Sequence, residues 1–66
     1  MNTFQLNCFL AVCDSLNFAR AAEKLGITQP AVTHQIHTLE DELDVKLFNR
    51  STRSVQLTPA GILFLN

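Results

Sequence analysis

The amino-acid sequence predicts a mainly α-helical domain with one small β-hairpin, and three observations support this class. Apolar residues recur at helical spacing between Leu6 and Leu16, and again between Val32 and Leu43. Polar N-caps and a glycine punctuate the chain between these stretches. After Leu43 the pattern changes to two short strand-like segments, residues 45–50 and 54–57. With 66 residues, 47% of them hydrophobic, we expect a single domain with a thin core.

The first helix is predicted to begin at a cap provided by Asn2 or Thr3. Its apolar residues have the spacing i, i+3, i+4, i+7 and i+10, which predicts a core stripe of Leu6, Phe9, Leu10, Cys13 and Leu16. Cys8 and Cys13 point about 140° apart on such a helix, so they cannot pair with each other. We interpret both as small buried hydrophobes.

Two further helices are predicted on either side of a tight turn. Asn17 is a good N-cap for a short helix over residues 18–25, and Gly26 suits the left-handed residue that ends it. Thr28 then caps the central helix, and Pro30 lies in its first turn, where a missing N–H costs nothing.

The spacing of Ala22, Gly26 and Val32 is typical of a helix-turn-helix. Alanine permits a close helix crossing, glycine supplies the turn, and valine seals the second helix onto the first. We therefore predict that the two helices pack as this motif.

The central helix has two different faces. One face is apolar and predicts core packing by Val32, Ile36, Leu39 and Leu43. The other carries Pro30, His34 and His37, flanked by Gln29 and Thr33, and residues 28–39 include no charged side chain. Short neutral donors and acceptors suit base edges in a DNA major groove, although a polar surface helix without a partner shows the same pattern.

Residues 45–50 and 54–57 predict a hairpin with Arg50 at its base and Arg53 near its tip. Beside a helix-turn-helix such a hairpin is a wing, whose arginines reach phosphates or a narrow minor groove; the alternative is two solvated arginines on a turn. The predicted architecture is thus a winged helix-turn-helix with a three-helix core and a two-stranded wing.

Thr58 and Pro59 predict a further N-cap and the first residue of another helix. This helix has about eight residues, includes Gly61, and is apolar all round at residues 62–65, so it is not stable alone. We therefore expect the chain to be the N-terminal fragment of a longer protein.

Charge is segregated along the chain. The formal net charge is −1, but four of the six acidic residues lie within residues 40–44. Outside that run, five basic residues stand against two acidic ones, a balance of +3. The net charge therefore does not argue against a nucleic-acid partner.

Other classes of function lack support in the sequence. There is no Ser/His/Asp or Cys/His set, Gly-rich loop or carboxylate pair, so we expect no enzyme and no cofactor. His34 and His37 lack a third metal ligand on their face. No apolar run approaches the ~20 residues of a membrane span, and a secretory signal is absent, so we expect a cytoplasmic protein with no membrane partner.

The sequence resembles the N-terminal DNA-binding domain of LysR-type transcriptional regulators over essentially all 66 residues, in one register without gaps. The resemblance is carried by Gln5-Leu6, Phe18-Ala19-Arg20-Ala21-Ala22-Glu23-Lys24-Leu25, Thr28-Gln29-Pro30-Ala31-Val32-Thr33, Leu47-Phe48, and Arg53-Ser54-Val55-Gln56-Leu57-Thr58-Pro59-Ala60-Gly61. It implies a bacterial, cytoplasmic DNA-binding domain at residues 1–57 and the truncated start of a linker helix at residues 58–66. It also implies a homodimer or larger assembly through that helix, and a small-molecule effector bound only by a C-terminal domain that this chain lacks.

The resemblance also implies roles for particular residues on double-stranded DNA. Recognition-helix positions face the bases, wing arginines contact the backbone and minor groove, and the helix N-caps lie near phosphates. The implied DNA-binding residues are Asn17, Thr28, Gln29, Pro30, Thr33, His34, His37, Arg50 and Arg53.

Three departures from the family pattern matter. His37 replaces a more usual basic residue, which implies a weaker or pH-dependent contact. His34 lies at a variable position and says little about which base it meets, and Asp44 replaces a usual glycine. A helix-turn-helix used only for protein association remains the alternative, with the acidic run and the apolar last helix contacting a protein partner.

Overall fold

Helices and strands follow each other in the predicted order in the computed structural model, which describes residues 1–51 and 54–66. The described residues form three helices, an antiparallel two-stranded hairpin and a last short helix. These elements are α1 (Thr3–Ser15), α2 (Phe18–Leu25), α3 (Gln29–Leu43), β1 (Phe48–Arg50), β2 (Val55–Leu57) and α4 (Pro59–Leu65). The predicted winged helix-turn-helix fold is confirmed.

Each of these helices begins at a side-chain N-cap, because a short polar oxygen satisfies a backbone N–H that the first turn leaves free. The predicted caps of α2, α3 and α4 are confirmed, and the cap of α1 is Asn2. The acceptor-to-nitrogen distances are 2.8 Å for Asn2, 2.9 Å for Asn17, 3.3 Å for Thr28 and 3.0 Å for Thr58. Gly26 ends α2 at φ 70°, in the left-handed conformation that glycine adopts without steric cost.

The core lies between the first three helices and the base of the hairpin. The predicted α3 stripe is confirmed, with Val32, Ile36 and Leu39 buried and Leu43 partly buried. Three aromatic pairs connect this core to the hairpin and α4: Phe9–Phe48 at 5.4 Å, Phe18–Phe48 at 6.0 Å and Phe9–Phe64 at 5.1 Å between ring centroids.

The predicted core stripe of α1 is wrong at Leu10 and Leu16, whereas Phe9 is buried and Cys13 packs against the core. Leu10 and Leu16 are 50% and 44% exposed, and of the predicted residues Phe9 alone is fully buried. Leu16 lies beyond the helix, at φ 50°. The stripe that is buried in the structure has the same helical spacing as the predicted stripe and is displaced from it by one residue. The spacing alone therefore cannot distinguish the two stripes, and packing of the other helices decides between them. The buried face is formed by Gln5, Cys8, Phe9, Ala11 and Val12.

Both cysteines are shielded rather than reactive. Cys8 is buried and Cys13 is partly buried. Burial raises the pKa of the Cys8 thiol and raises the pKa of Cys13 to about 11. Because the thiolate is the reactive form, both side chains act as small hydrophobes at neutral pH.

Glu40 differs from the other residues of the acidic run. It is 7% exposed, and its Oε2 accepts hydrogen bonds from the backbone N–H groups of Leu47 at 2.7 Å and Phe48 at 3.3 Å. Glu40 therefore joins α3 to the start of β1, and the exposed acidic cluster consists of Asp41, Glu42 and Asp44.

The strands are shorter than the predicted segments 45–50 and 54–57. Pairing is limited to Phe48 with Leu57, Asn49 with Gln56, and Arg50 with Val55. Residues 45–47 instead lead the chain out of α3, and the Val45 N–H donates to the Glu40 carbonyl at 3.2 Å.

Asp44 carries two local costs at the end of α3. Its φ is 55°, a left-handed conformation, and its charge lies at the negative end of the helix dipole. We expect Asp44→Gly to raise the free energy of unfolding by about 1 kcal/mol, since it relieves both. Urea unfolding followed by circular dichroism measures this change. Asp44→Asn is the control, because it removes only the charge. If the glycine variant is no more stable than the asparagine variant, the left-handed backbone at residue 44 does not contribute to the cost.

Candidate nucleic-acid interface

The N-terminal half of α3 presents an uncharged surface to solvent. Gln29, Pro30, His34 and His37 are exposed, Thr33 is partly buried, and these five residues line one open hollow. They are the residues predicted from the sequence to lie opposite the core stripe. We call this surface the recognition face.

Asn17 and Thr28 lie at the N-caps of α2 and α3, and both are exposed. Capping uses the acceptor oxygen of each side chain, whereas the amide NH₂ of Asn17 and the hydroxyl hydrogen of Thr28 can still donate. Asn17, Gln29 and Arg50 line a second hollow, between the starts of the two helices and the hairpin. The fold thus brings predicted residues from three elements to one place.

Arg50 ends β1, opposite Val55, in the strand pair next to the connecting loop. The predicted place of Arg50 at the base of the hairpin is therefore wrong, because pairing begins at Phe48 with Leu57. Its guanidinium carbon lies 4.4 Å from the centroid of the Phe18 ring, and its Nη2 lies 3.2 Å from His37 Nε2. Because a guanidinium has no acceptor, Arg50 donates, and His37 Nε2 must carry no proton in this arrangement. Arg50 is therefore packed against the helices rather than extended freely into solvent. Arg53, the second predicted wing arginine, lies outside the described residues.

The contribution of Phe18 was not predicted from the sequence. Its ring is 5% exposed and packs in the core, yet one side of it supports Arg50 and lines the hollow shared with Asn17. Phe18 and Arg50 are distant in the chain, so no local sequence pattern indicates their contact.

The exposed acidic cluster lies away from the N-terminal end of the recognition face. Asp41, Glu42 and Asp44 lie at the opposite end of α3, a helix of 15 residues. At 1.5 Å per residue, roughly 18 Å separates that end from Pro30, about twice the Debye length at physiological salt. The acidic cluster therefore has little effect on an anion bound at the N-terminal end of the recognition face, beside Gln29 and Pro30.

Residues 1–51 and 54–66 contain neither a metal-binding cluster nor a membrane-spanning helix. No group of three or more His, Cys, Asp or Glu side chains in these ranges could hold a metal ion. None of the helices described there is long and apolar enough to cross a membrane.

The fold and the recognition face define a winged helix-turn-helix domain of the kind found in bacterial regulators. Residues 4–62 match the family described as "Bacterial regulatory helix-turn-helix protein, lysR family". The chain belongs to this family, which confirms the resemblance noted in the sequence.

Curated relatives agree with this assignment. The chain is 56% identical over 61 residues to the HTH-type transcriptional regulator TfdS of Cupriavidus pinatubonensis, covering 92% of this chain and 21% of TfdS. It is 46% identical over 66 residues to the HTH-type transcriptional regulator AlsR of Bacillus subtilis, covering 100% of this chain and 22% of AlsR. The chain thus spans about a fifth of the length of these relatives.

Solved structures show the same fold. The DNA-binding domain of CbnR in complex with DNA has a TM-score of 0.95 and 45% identity, covering 98% of this chain and 75% of that one. The DNA-binding domain of BenM on catB site 1 DNA has a TM-score of 0.93 and 42% identity, covering 97% of this chain and 72% of that one.

Proposed function

We propose that this chain is the DNA-binding domain of a LysR-type transcriptional regulator and binds double-stranded DNA sequence-specifically. The observation that carries the proposal is the recognition face, an exposed and uncharged helix surface with Arg50 beside it. An α-helix fits the major groove, and neutral side chains of this kind pair with base edges there. The complexes of CbnR and BenM with DNA support the same function.

Recognition-face residues would contact bases. Gln29 has the donor and acceptor needed for a bidentate contact to adenine, and the methylene groups of Pro30 and the methyl group of Thr33 suit a thymine methyl group. His34 follows along the same face toward the middle of α3. His37 lies beyond it beside Arg50, and we propose that it acts at the DNA together with Arg50 rather than on a base.

A second set of residues would hold the DNA backbone. Asn17 and Thr28 donate from the helix N-caps, and Arg50 supplies a fixed positive charge at the loop end of β1. We propose that Arg53 also contacts the backbone or the minor groove, as the family resemblance implies.

The remaining properties concern the longer protein. We propose that residues 1–57 form the DNA-binding domain and that residues 58–66 begin a linker helix through which the regulator forms a homodimer or larger assembly. A small-molecule effector would bind another domain, and the protein would act in the cytoplasm, where bacterial DNA lies. The relatives are transcriptional regulators, which points away from an enzyme.

Protein association as the only function has less support. That alternative combined an acidic run at residues 40–44 with the apolar last helix. Glu40 is not available to a partner because it is buried and accepts from Leu47. The exposed apolar residues of α4 fit the proposed linker helix equally well, so they do not favour the alternative.

Gln29→Ala tests sequence-specific binding. A duplex is first selected from a random pool by the parent chain, and binding is measured on that duplex and on a shuffled one. We expect Gln29→Ala to weaken binding to the selected duplex by ~1–3 kcal/mol and to change binding to the shuffled duplex little.

Gln35→Ala is the matched control, since Gln35 lies on α3 outside the recognition face and is partly buried. Equal losses on both duplexes would mean that Gln29 does not distinguish bases. If the affinity of the parent chain for DNA does not fall as the salt concentration rises, DNA binding through phosphates is contradicted.

A further inference from the structure

Arg50, Phe18 and His37 come from three different elements and meet at one point on the surface. We propose that Phe18 and His37 are positioning residues, which hold the Arg50 guanidinium in place to meet a DNA phosphate. This inference rests on the proposed function, because it explains how Arg50 is oriented in the free protein for its proposed contact with DNA.

Phe18 provides a rigid platform. Its ring packs edge-on against Phe48, at 6.0 Å between centroids and 77° between planes, and it is almost fully buried. A cation above an aromatic face is attracted by the ring quadrupole, and the 4.4 Å separation of Arg50 from the ring centroid lies within the range of that attraction. Because the core holds the ring, the stacked guanidinium loses freedom in the free protein rather than on binding.

His37 sets the remaining orientation. Its Nε2 accepts one N–H of Arg50 at 3.2 Å, whereas the guanidinium has five N–H donors in a fixed plane. Contact with the ring of Phe18 restrains the position of the guanidinium, and the bond to His37 restrains its direction. Further donors then remain for a phosphate, which an arginine can bind through two parallel hydrogen bonds.

The opposing explanation is that the same contacts only stabilise the fold. The two explanations differ in one measurable respect. If Phe18 and His37 act through Arg50, changing either residue affects DNA affinity only while Arg50 is present. A double-mutant cycle measures this coupling directly.

The experiment uses the 66-residue chain and a fluorescein-labelled duplex of about 20 base pairs with mixed sequence, since a phosphate contact is independent of sequence. Arg50→Ala is expected to weaken binding and to lower the salt slope of log K by ~0.9 for one lost phosphate contact. Phe18→Leu and His37→Leu should each weaken binding about threefold, the size expected for a lost surface cation–π contact or an equivalent hydrogen bond. Neither should weaken it further in the Arg50→Ala background.

Conservative variants and one control complete the design. His37→Gln retains an acceptor and should regain most of the affinity lost in His37→Leu. Lys24→Ala removes a positive charge from α2, away from Arg50, so its effect on affinity shows what loss of charge alone does.

In nuclear magnetic resonance spectra of the free chain, ring currents should shift the Arg50 side-chain protons upfield, and Phe18→Leu should abolish that shift. If Phe18→Leu does not fold, the His37 variants carry the test.

The outcomes separate this inference from the proposed function. Unchanged affinity and salt slope in Arg50→Ala would show that Arg50 does not contact DNA, and the inference fails with that contact. A second result would overturn the positioning role and leave the contact of Arg50 with DNA in place. In that result Arg50→Ala weakens binding, but Phe18→Leu and His37→Leu weaken it as much in the Arg50→Ala background as in the parent chain. Absence of the upfield shift in the parent chain would also overturn the positioning role.

Discussion

Gly61→Ala is expected to lower the free energy of unfolding by about 3 kcal/mol, the upper end of typical overpacking costs. A Cβ atom at this buried position would overlap the backbone carbonyl oxygen of Leu47 and lie 2.9 Å from Leu57 Cδ2. The carbonyl cannot move away freely, because it accepts a hydrogen bond from the Thr58 N–H at 3.0 Å. Since a domain of this size has only about 3–5 kcal/mol of stability, much of the variant should be unfolded.

The sign of this prediction is informative. Helix propensity alone favours alanine over glycine by about 1 kcal/mol, so a helix considered in isolation would be stabilised. Urea unfolding followed by circular dichroism decides between the two signs. Gly26→Ala is the control, because a Cβ there meets open space and only the left-handed φ of 70° adds about 1–2 kcal/mol of strain. A Gly61→Ala variant more stable than the parent would contradict the close approach of α4 to Leu47.

Glu40→Ala is expected to be about as damaging, at roughly 3 kcal/mol. It leaves the buried N–H groups of Leu47 and Phe48 without their acceptor, and each unsatisfied buried donor costs about 1–3 kcal/mol. Hydrogen exchange at these two amides, measured together with urea unfolding, tests the prediction. The two amides should exchange much faster in the variant, because the start of β1 is no longer tied to α3.

Glu40→Gln is the matched variant, since its amide oxygen can still accept from both N–H groups. It should lose less stability than Glu40→Ala, although neutral hydrogen bonds are weaker than those to a carboxylate. Equal losses in the two variants would show that acceptance by residue 40 does not hold β1. Because β1 carries Arg50, we also expect weaker DNA binding by Glu40→Ala than by Glu40→Gln under conditions where both are folded.

Local features of the fold were predictable from the sequence. The caps Asn17 and Thr28 and the turn at Gly26 depend on hydrogen bonds within a few residues and on backbone preferences of single residues. The recognition face was predictable for a related reason. Once Val32 and Ile36 are assigned to the core, the helical period determines which side chains of α3 point away from it.

Tertiary structure decided the features that join elements distant in the chain. The buried face of α1, the acceptor role of Glu40 and the stack of Arg50 on Phe18 all depend on which element packs alongside. Local patterns leave such choices open, because neighbouring stripes of α1 have the same spacing and an acidic residue at a helix end is usually solvated. Packing resolves them, since a buried donor needs an acceptor and a close backbone contact leaves no space for a Cβ atom.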